Sequence, residues 1–183
     1  EAIVKYVRKF DAPCISIKEL RVMEQEFDEA YSQIDAAFLD AIKHVRANIE
    51  RFHQKQLRNS WLVTEEDGVI LGHLLRPLKR VGVSVPAASQ SLVSSLIMNV
   101  VPPKVAGVEE IAAFIAPAQN RKIDPHMLVA AAECEVREIY RCGGAQAVGA
   151  MAYGTNTIPK VDKIVGPGNL YVQLAKKAVY GRV

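Results

Sequence analysis

The stretch Asp162–Gly181, DKIVGPGNLYVQLAKKAVYG, carries a complete strand, turn and helix in 20 residues. A short apolar run leads into Gly166-Pro167-Gly168-Asn169, and helical spacing of apolar residues follows. Glycine permits backbone conformations that other residues avoid, whereas proline fixes its own φ angle. Such a turn has two explanations: it is turn geometry alone, or the phosphate or ribose of a ligand comes close to the backbone there.

The same order of strand and helix is predicted three more times upstream of this stretch. The strands are RVGVSVP, EEIAAFIAP and VREIYRCGG, and the helices are SLVSSLIMNVVPPK, DPHMLVAAAECE and AQAVGAMAYG. The first helix is predicted to end at Pro102 and Pro103, because proline interrupts helical hydrogen bonding. Strands with nearly continuous apolar runs are buried on both faces, so residues 81–183 are predicted to form an α/β unit with a parallel sheet flanked by helices.

Residues 1–80 are predicted to form a helical segment followed by a short β-hairpin. One helix carries an apolar stripe at steps of three and four, made of Phe38, Ile42, Val45, Ile49 and Phe52. Two short apolar runs then flank the turn signal at residues 66–68, which indicates a hairpin. Trp61 lies in the first run, and we expect it in the core.

Composition excludes several classes of protein. The net charge of +3 is too small and too scattered for a nucleic-acid interface, and no apolar run is long enough for a membrane span. The first ten residues mix charged and apolar side chains, which indicates an amphipathic helix and no signal peptide. Cys14, Cys134 and Cys142 show no disulfide or zinc spacing, so we expect three core thiols and a cytoplasmic location.

The candidate binding residues follow from the rule that ligands of parallel sheets sit beyond the carboxyl ends of the strands. Gln146 and Asn169 stand at two glycine-bearing junctions of strand and helix, where unpaired backbone N–H groups favour an anion. We expect the two junctions to be neighbours and the two amides to share one crevice. Glycine turns are more often structural, G-x-G-x-x-G is absent, and Asn169 can also be a simple helix cap. The pattern predicts no catalytic residue and no metal ligand.

The motifs together resemble the histidinol dehydrogenase family. The resemblance is dense and collinear from about Arg76 to Gly181, and the combination of GGAQA with KIVGPGN is its most specific part. It is weaker through the helical segment, where ANIERFHQKQ is similar to the family. The family implies a homodimeric zinc enzyme that oxidises L-histidinol to L-histidine with two NAD, and an incomplete Rossmann-like unit that binds the cofactor.

The resemblance assigns cofactor contacts to Gln146, to Asn169 and to the position of Ser84. The family has a tyrosine at that third position, in a Tyr-Val-Pro-Gly-Gly stretch, where this chain reads SVPAA. Loss of the aromatic contact is expected to weaken NAD binding by about 1 kcal/mol or more. Ala87 and Ala88 replace the two glycines and restrict the backbone. Glu135 stands where the family often has glycine.

The resemblance also implies that the zinc ligands and the catalytic Glu-His pair lie beyond Val183, because the family's chains are more than twice as long. We therefore expect an NAD-binding portion that is catalytically incomplete by itself and holds no zinc. The alternative is a truncated paralogue with an eroded cofactor site that acts as a self-associating binding or regulatory module. In either case the hairpin would leave apolar surface open, which predicts a homo-oligomer, most simply a dimer.

Overall fold

The computed structural model of the protein describes residues 1–86 and 92–183. The helices are α1 Ala2–Phe10, α2 Glu24–Tyr31, α3 Ala36–Gln54, α4 Val93–Val105, α5 Pro125–Glu133, α6 Gly144–Tyr153 and α7 Leu170–Ala178. The strands are β1 Trp61–Thr64, β2 Ile70–His73, β3 Arg80–Val85, β4 Glu110–Ile115, β5 Glu138–Arg141 and β6 Lys163–Val165. The predicted α/β architecture is confirmed.

The main sheet has four parallel strands in the order β5-β4-β3-β6. The chain starts in the middle at β3, moves outward through β4 to β5, and then returns past β3 to add β6 on the other side. This is half of a Rossmann-like sheet, with its change of direction between β3 and β6. The outer edge of β5 is covered by an antiparallel bridge between Arg21 and Tyr140.

The sheet buries both faces, and alternate strand residues supply two separate cores. On one face Val83 and Ala113 join the cluster under α4 and α5, whereas Ala112 and Phe114 join the cluster under α6 and α7 on the other face. A Cβ atom at Gly82 would lie 2.4 Å from the sulfur of Met151 in α6, so that face is tightly filled. Two-sided burial explains why the strands read as continuous apolar runs.

The helices before residue 60 pack onto this sheet unit. Helices α2 and α3 lie on α4 and α5, and α1 lies on α6. Buried Arg141, at the end of β5, donates to the carbonyl of Glu19 at 2.9 Å and pairs with Glu26 of α2. The helical segment therefore shares both hydrophobic clusters with the sheet, and the predicted domain division at residue 80 stays a prediction.

The predicted hairpin is confirmed, but the expectation that Trp61 lies in the core is wrong. Strands β1 and β2 are antiparallel, with Trp61 opposite His73, and every residue of both strands is exposed. Trp61 is 53% exposed and Leu62 is 79% exposed. Each strand has only four residues, and none of the described helices or strands packs extensively against the hairpin. Its apolar side chains therefore remain on the surface.

Two smaller expectations also need correction. Helix α4 runs through Pro102 and Pro103 to Val105, because the φ angle of proline is itself helical and both proline carbonyls still accept hydrogen bonds from Ala106 and Val108. Among the cysteines, 134 and 142 are buried as expected, but Cys14 is exposed in the loop after α1.

Candidate functional site

The turn after β6 lies at the point where the sheet changes direction. Strands β3 and β6 pair in parallel with Val83 opposite Val165, so their carboxyl ends stand side by side. Ser84 follows in β3, and Gly166 follows β6 directly. In open α/β sheets, ligands bind where the strand order changes direction. The turn from Gly166 to Asn169 lies at this position.

Gly166 is held against the backbone of Ser84. Its φ angle is +106°, and a Cβ atom there would lie 2.1 Å from the carbonyl oxygen of Ser84. Both the conformation and the contact exclude a side chain. The Ser84 residue is only 2% exposed, so its hydroxyl is buried at the position where the resemblance implies a tyrosine. The companion replacements Ala87 and Ala88 lie outside the described residues.

Asn169 is the N-cap of α7. Its Oδ1 atom accepts a hydrogen bond from the backbone N–H of Val172 at 3.1 Å, which is the cap that the residue type predicts. The side chain is exposed, and within the described residues its NH2 group makes no hydrogen bond. The capping role and a ligand contact are therefore compatible, since the cap uses the oxygen and a ligand would use the NH2 group.

Gln146 lies in the first turn of α6 and is tied to the helical segment. Its Nε2 atom donates to Oδ2 of Asp11 over a long distance of 3.4 Å. Asp11 follows α1, and burial raises the pKa of its carboxyl group above the ordinary value, while the bond from Gln146 opposes that rise. The Gln146 amide folds back toward Gly144, where a Cβ atom would lie 2.9 Å from Oε1.

The two amides do not project from neighbouring junctions, so that expectation is wrong. Gln146 follows β5 and Asn169 follows β6, and these strands form the two opposite edges of the sheet. With strands about 4.8 Å apart, the two junctions are separated by about 14 Å. A ligand that contacts both amides must lie along the carboxyl edge, across the ends of β4 and β3.

A groove of about 790 Å³ lies beside the same edge but contains none of the three predicted contacts. It runs between α2 and the start of α5, and its lining includes Glu26, Lys122 and Asp124. This groove is on the side of α4 and α5, whereas Gln146 and Asn169 begin helices on the other side. The strand order and the close approach of Gly166 to the Ser84 backbone both favour the turn beside the ends of β3 and β6 as the candidate site.

Residues 1–86 and 92–183 contain no group of three His, Cys, Asp or Glu side chains that could hold a metal ion. None of the helices in those ranges is long and apolar enough to cross a bilayer.

Sequence reasoning missed two polar neighbours of the candidate contacts. Lys176 donates from Nζ to the carbonyl oxygen of Gly166 at 2.5 Å, and Asp11 contacts Gln146. The spacing of Lys176, seven residues after the capping Asn169, places both on one helix face and could have indicated the first contact. Asp11 is 135 residues from Gln146, and no local pattern points to it.

A family model described as histidinol dehydrogenase matches residues 1–183. The histidinol dehydrogenase of Heliobacterium mobile is 52% identical over 183 residues, which are 100% of this chain and 43% of that protein. The one from Carboxydothermus hydrogenoformans is 47% identical over the same lengths. The chain therefore spans less than half of the curated relatives it matches.

A solved structure agrees with the sequence comparison. The crystal structure of histidinol dehydrogenase from Elizabethkingia anophelis superposes with a TM-score of 0.91 at 35% identity, over 99% of this chain and 41% of that one. The four-stranded order, the hairpin and the helical segment are thus a known arrangement of backbone. The chain belongs to the histidinol dehydrogenase family.

Proposed function

We propose that these residues form the NAD-binding portion of an enzyme that oxidises L-histidinol to L-histidine. The observation that carries the proposal is the turn from Gly166 to Asn169, which stands between β3 and β6 with a capped helix behind it. The unpaired N–H groups at the start of α7 suit an anionic pyrophosphate, and Asn169 adds an amide donor. Gln146 adds a second amide, and Ser84, which is buried, occupies the third position that the resemblance assigns to the cofactor.

When bound, NAD supplies the acceptor for the hydride that leaves the alcohol carbon. The residues of this chain bind and orient it. The zinc ligands and the acid–base pair that the family requires are proposed to lie outside residues 1–183. On this proposal the chain binds NAD but does not turn over L-histidinol by itself.

The strand order predicts that affinity depends on the length of the ligand. Because Gln146 and Asn169 stand at opposite edges of the sheet, a mononucleotide can contact only one of them, whereas a dinucleotide lying along the edge can contact both. We therefore expect NAD to bind more tightly than AMP, and we expect Gln146→Ala and Asn169→Asp to affect AMP unequally.

The test is calorimetry and thermal unfolding with NAD and AMP. At free NAD of about 100 times the dissociation constant, stabilisation reaches about 2.7 kcal/mol. Asn169→Asp is the informative variant, because aspartate caps a helix equally well but replaces the NH2 donor by a carboxylate oxygen. We expect Asn169→Asp to lose NAD affinity while unfolding at nearly the temperature of the unsubstituted chain. Absence of any shift at millimolar NAD would refute the proposal.

A second candidate function rests on the same site in a weakened form. Ser84 is buried and supplies no aromatic ring for the cofactor, so the cofactor site would be eroded. The chain would then act as a self-associating module. The exposed hairpin favours self-association in both cases. Leu62 is 79% and Ile70 is 66% exposed on one face of the hairpin, while Trp61 and Leu71 are exposed on the other.

We propose a homodimer in which this hairpin is covered by the second copy. Light scattering during gel filtration at micromolar concentration measures the mass directly. Leu62→Glu is expected to shift the mass toward the monomer, whereas Glu66→Lys in the connecting turn is expected to leave it unchanged. A clean monomer for the unsubstituted chain would contradict the dimer and would leave the NAD proposal intact.

A further inference from the structure

Lys176 is a half-buried cation beside the candidate cofactor turn. It lies on α7, and its Nζ atom donates to the carbonyl oxygen of Gly166 at 2.5 Å. Among residues 1–86 and 92–183 no carboxylate forms an ion pair with it. Burial lowers the pKa of its ammonium group below the ordinary lysine value. The next residue, Lys177, is exposed and offers a matched comparison.

The turn is held from α7 by three side chains on one face of the helix. Asn169, Gln173 and Lys176 are separated by four and three residues, so they lie above one another. Asn169 caps the helix, Gln173 donates to the carbonyl of Gly168 at 3.4 Å, and Lys176 binds the carbonyl of Gly166. Only the contact of Lys176 is short and charge-assisted, so it is the strongest of the three.

The contact acts on the part of the turn with the least freedom. A Cβ atom at Gly166 would lie 2.1 Å from the carbonyl oxygen of Ser84, and the carbonyl oxygen of Gly166 accepts the hydrogen bond from Lys176. Rotation of the peptide plane between Gly166 and Pro167 would break that hydrogen bond. The direction in which Pro167 and Gly168 leave this plane fixes where the Asn169 amide stands.

We infer that Lys176 is a positioning residue of the cofactor site, acting through the Gly166 carbonyl to fix the turn that presents Asn169. The inference rests on the proposed NAD function. Burying the ammonium group of Lys176 has a cost that a neutral side chain of similar length would avoid. We therefore expect Lys176 to order the turn and to add little to the free energy of unfolding.

The experiment compares Lys176→Met with Lys177→Met in two measurements. Calorimetry gives the NAD affinity, which we expect to fall about tenfold in Lys176→Met and to stay unchanged in Lys177→Met. Amide hydrogen exchange of the ligand-free protein gives the order of the turn. We expect faster exchange in Lys176→Met only, at the N–H of Val172, which donates to Oδ1 of Asn169. The unfolding temperature of Lys176→Met should change little, because loss of the bond is offset by relief of the buried charge.

Chemical rescue separates the ammonium group from simple packing. Lys176→Cys in a Cys14→Ser background leaves one accessible thiol, since the other two cysteines are buried. Alkylation with 2-bromoethylamine forms a carbon–sulfur bond, releases bromide, and rebuilds an ammonium side chain of nearly lysine length. Restored affinity and slow exchange at the Val172 amide are expected. Lack of rescue, or normal exchange and affinity in Lys176→Met, would overturn the inference.

The two proposals fail in distinguishable ways. If the unsubstituted chain does not bind NAD, the proposed function falls, and hydrogen exchange in the ligand-free protein decides whether Lys176 orders the turn. If NAD binds and Lys176→Met binds it equally, only the inference about Lys176 is wrong.

Discussion

Gly166→Ala is expected to destabilise the protein by about 2–5 kcal/mol. Two costs add. The φ angle of +106° is unfavourable for any residue with a side chain, at about 1–2 kcal/mol. The new Cβ atom would also lie 2.1 Å from the carbonyl oxygen of Ser84, so one of the two strand ends has to move by about 1 Å, and such overpacking costs about 1–3 kcal/mol.

Two other glycines separate the costs. Gly107 has a φ angle of +85°, but a Cβ atom there would meet nothing closer than 3.5 Å, so Gly107→Ala measures the conformational term alone. Gly149 lies inside α6 with nothing within 4 Å of its Cβ position, so Gly149→Ala is expected to stabilise by about 0.5–1 kcal/mol. The expected order of stability is Gly149→Ala, the unsubstituted chain, Gly107→Ala and Gly166→Ala.

The assay is urea unfolding followed by far-UV circular dichroism. Fluorescence is the poorer probe, since the single tryptophan, Trp61, lies in the exposed hairpin and reports on that element. If Gly166→Ala is no less stable than Gly107→Ala, the turn relaxes freely away from Ser84. The tight backbone contact would then not hold the turn, and the argument that selects this site would be refuted.

Two ionic sites give further predictions. Glu138→Gln should lower the free energy of unfolding by about 2–4 kcal/mol, because buried Arg80 would keep only Glu110 as a carboxylate partner. Adding Arg80→Met to Glu138→Gln should recover part of the loss in urea unfolding. Glu135 has a φ angle of +57° and binds Lys104 and Arg46, so Glu135→Gly should be more stable than Glu135→Gln by about 1 kcal/mol in urea unfolding. The bonds from Lys104 and Arg46 lower the pKa of the Glu135 carboxyl from 4.5 to about 2, so its contribution is complete above pH 4.5 and is lost as the pH falls through 2. That contribution is about 0.5–1 kcal/mol, because the side chain is largely exposed, and acid titration of the unfolding midpoint in Glu135→Gln should lack this component.

The sequence predicts the elements of the sheet well, because burial on both faces leaves a local signature. Strands β3 and β4 are largely apolar, and the starts of α5 and α7 carry the side-chain caps Asp124 and Asn169. No local sequence pattern indicates on which side of the sheet β6 pairs. That side depends on how α6 crosses the sheet, so the expectation of neighbouring amide junctions failed although both junctions were correctly identified.

The hairpin shows a different reason for failure. Alternating and continuous apolar runs predict strands, and β1 and β2 are strands, but a pattern cannot specify what covers them. The prediction of a buried Trp61 assumed a layer that the described residues do not provide. Hydrophobic pattern therefore gave the element correctly and its environment incorrectly.

The candidate site contains both contacts between residues close in sequence and contacts between residues far apart in sequence, and only the former could be predicted from the sequence. The turn is organised within eleven residues, from Gly166 to Lys176, by a cap and two side-chain bonds at helical spacing. The described atoms nearest to the Cβ position of Gly166 are backbone atoms of Ser84 in β3, and these are the same for serine as for the tyrosine that the resemblance implies at this position. Replacement of that aromatic residue can therefore weaken a ligand contact without disturbing the turn. Gln146 differs, because its partner Asp11 directly follows α1, so the orientation of the Gln146 amide depends on how α1 packs against α6.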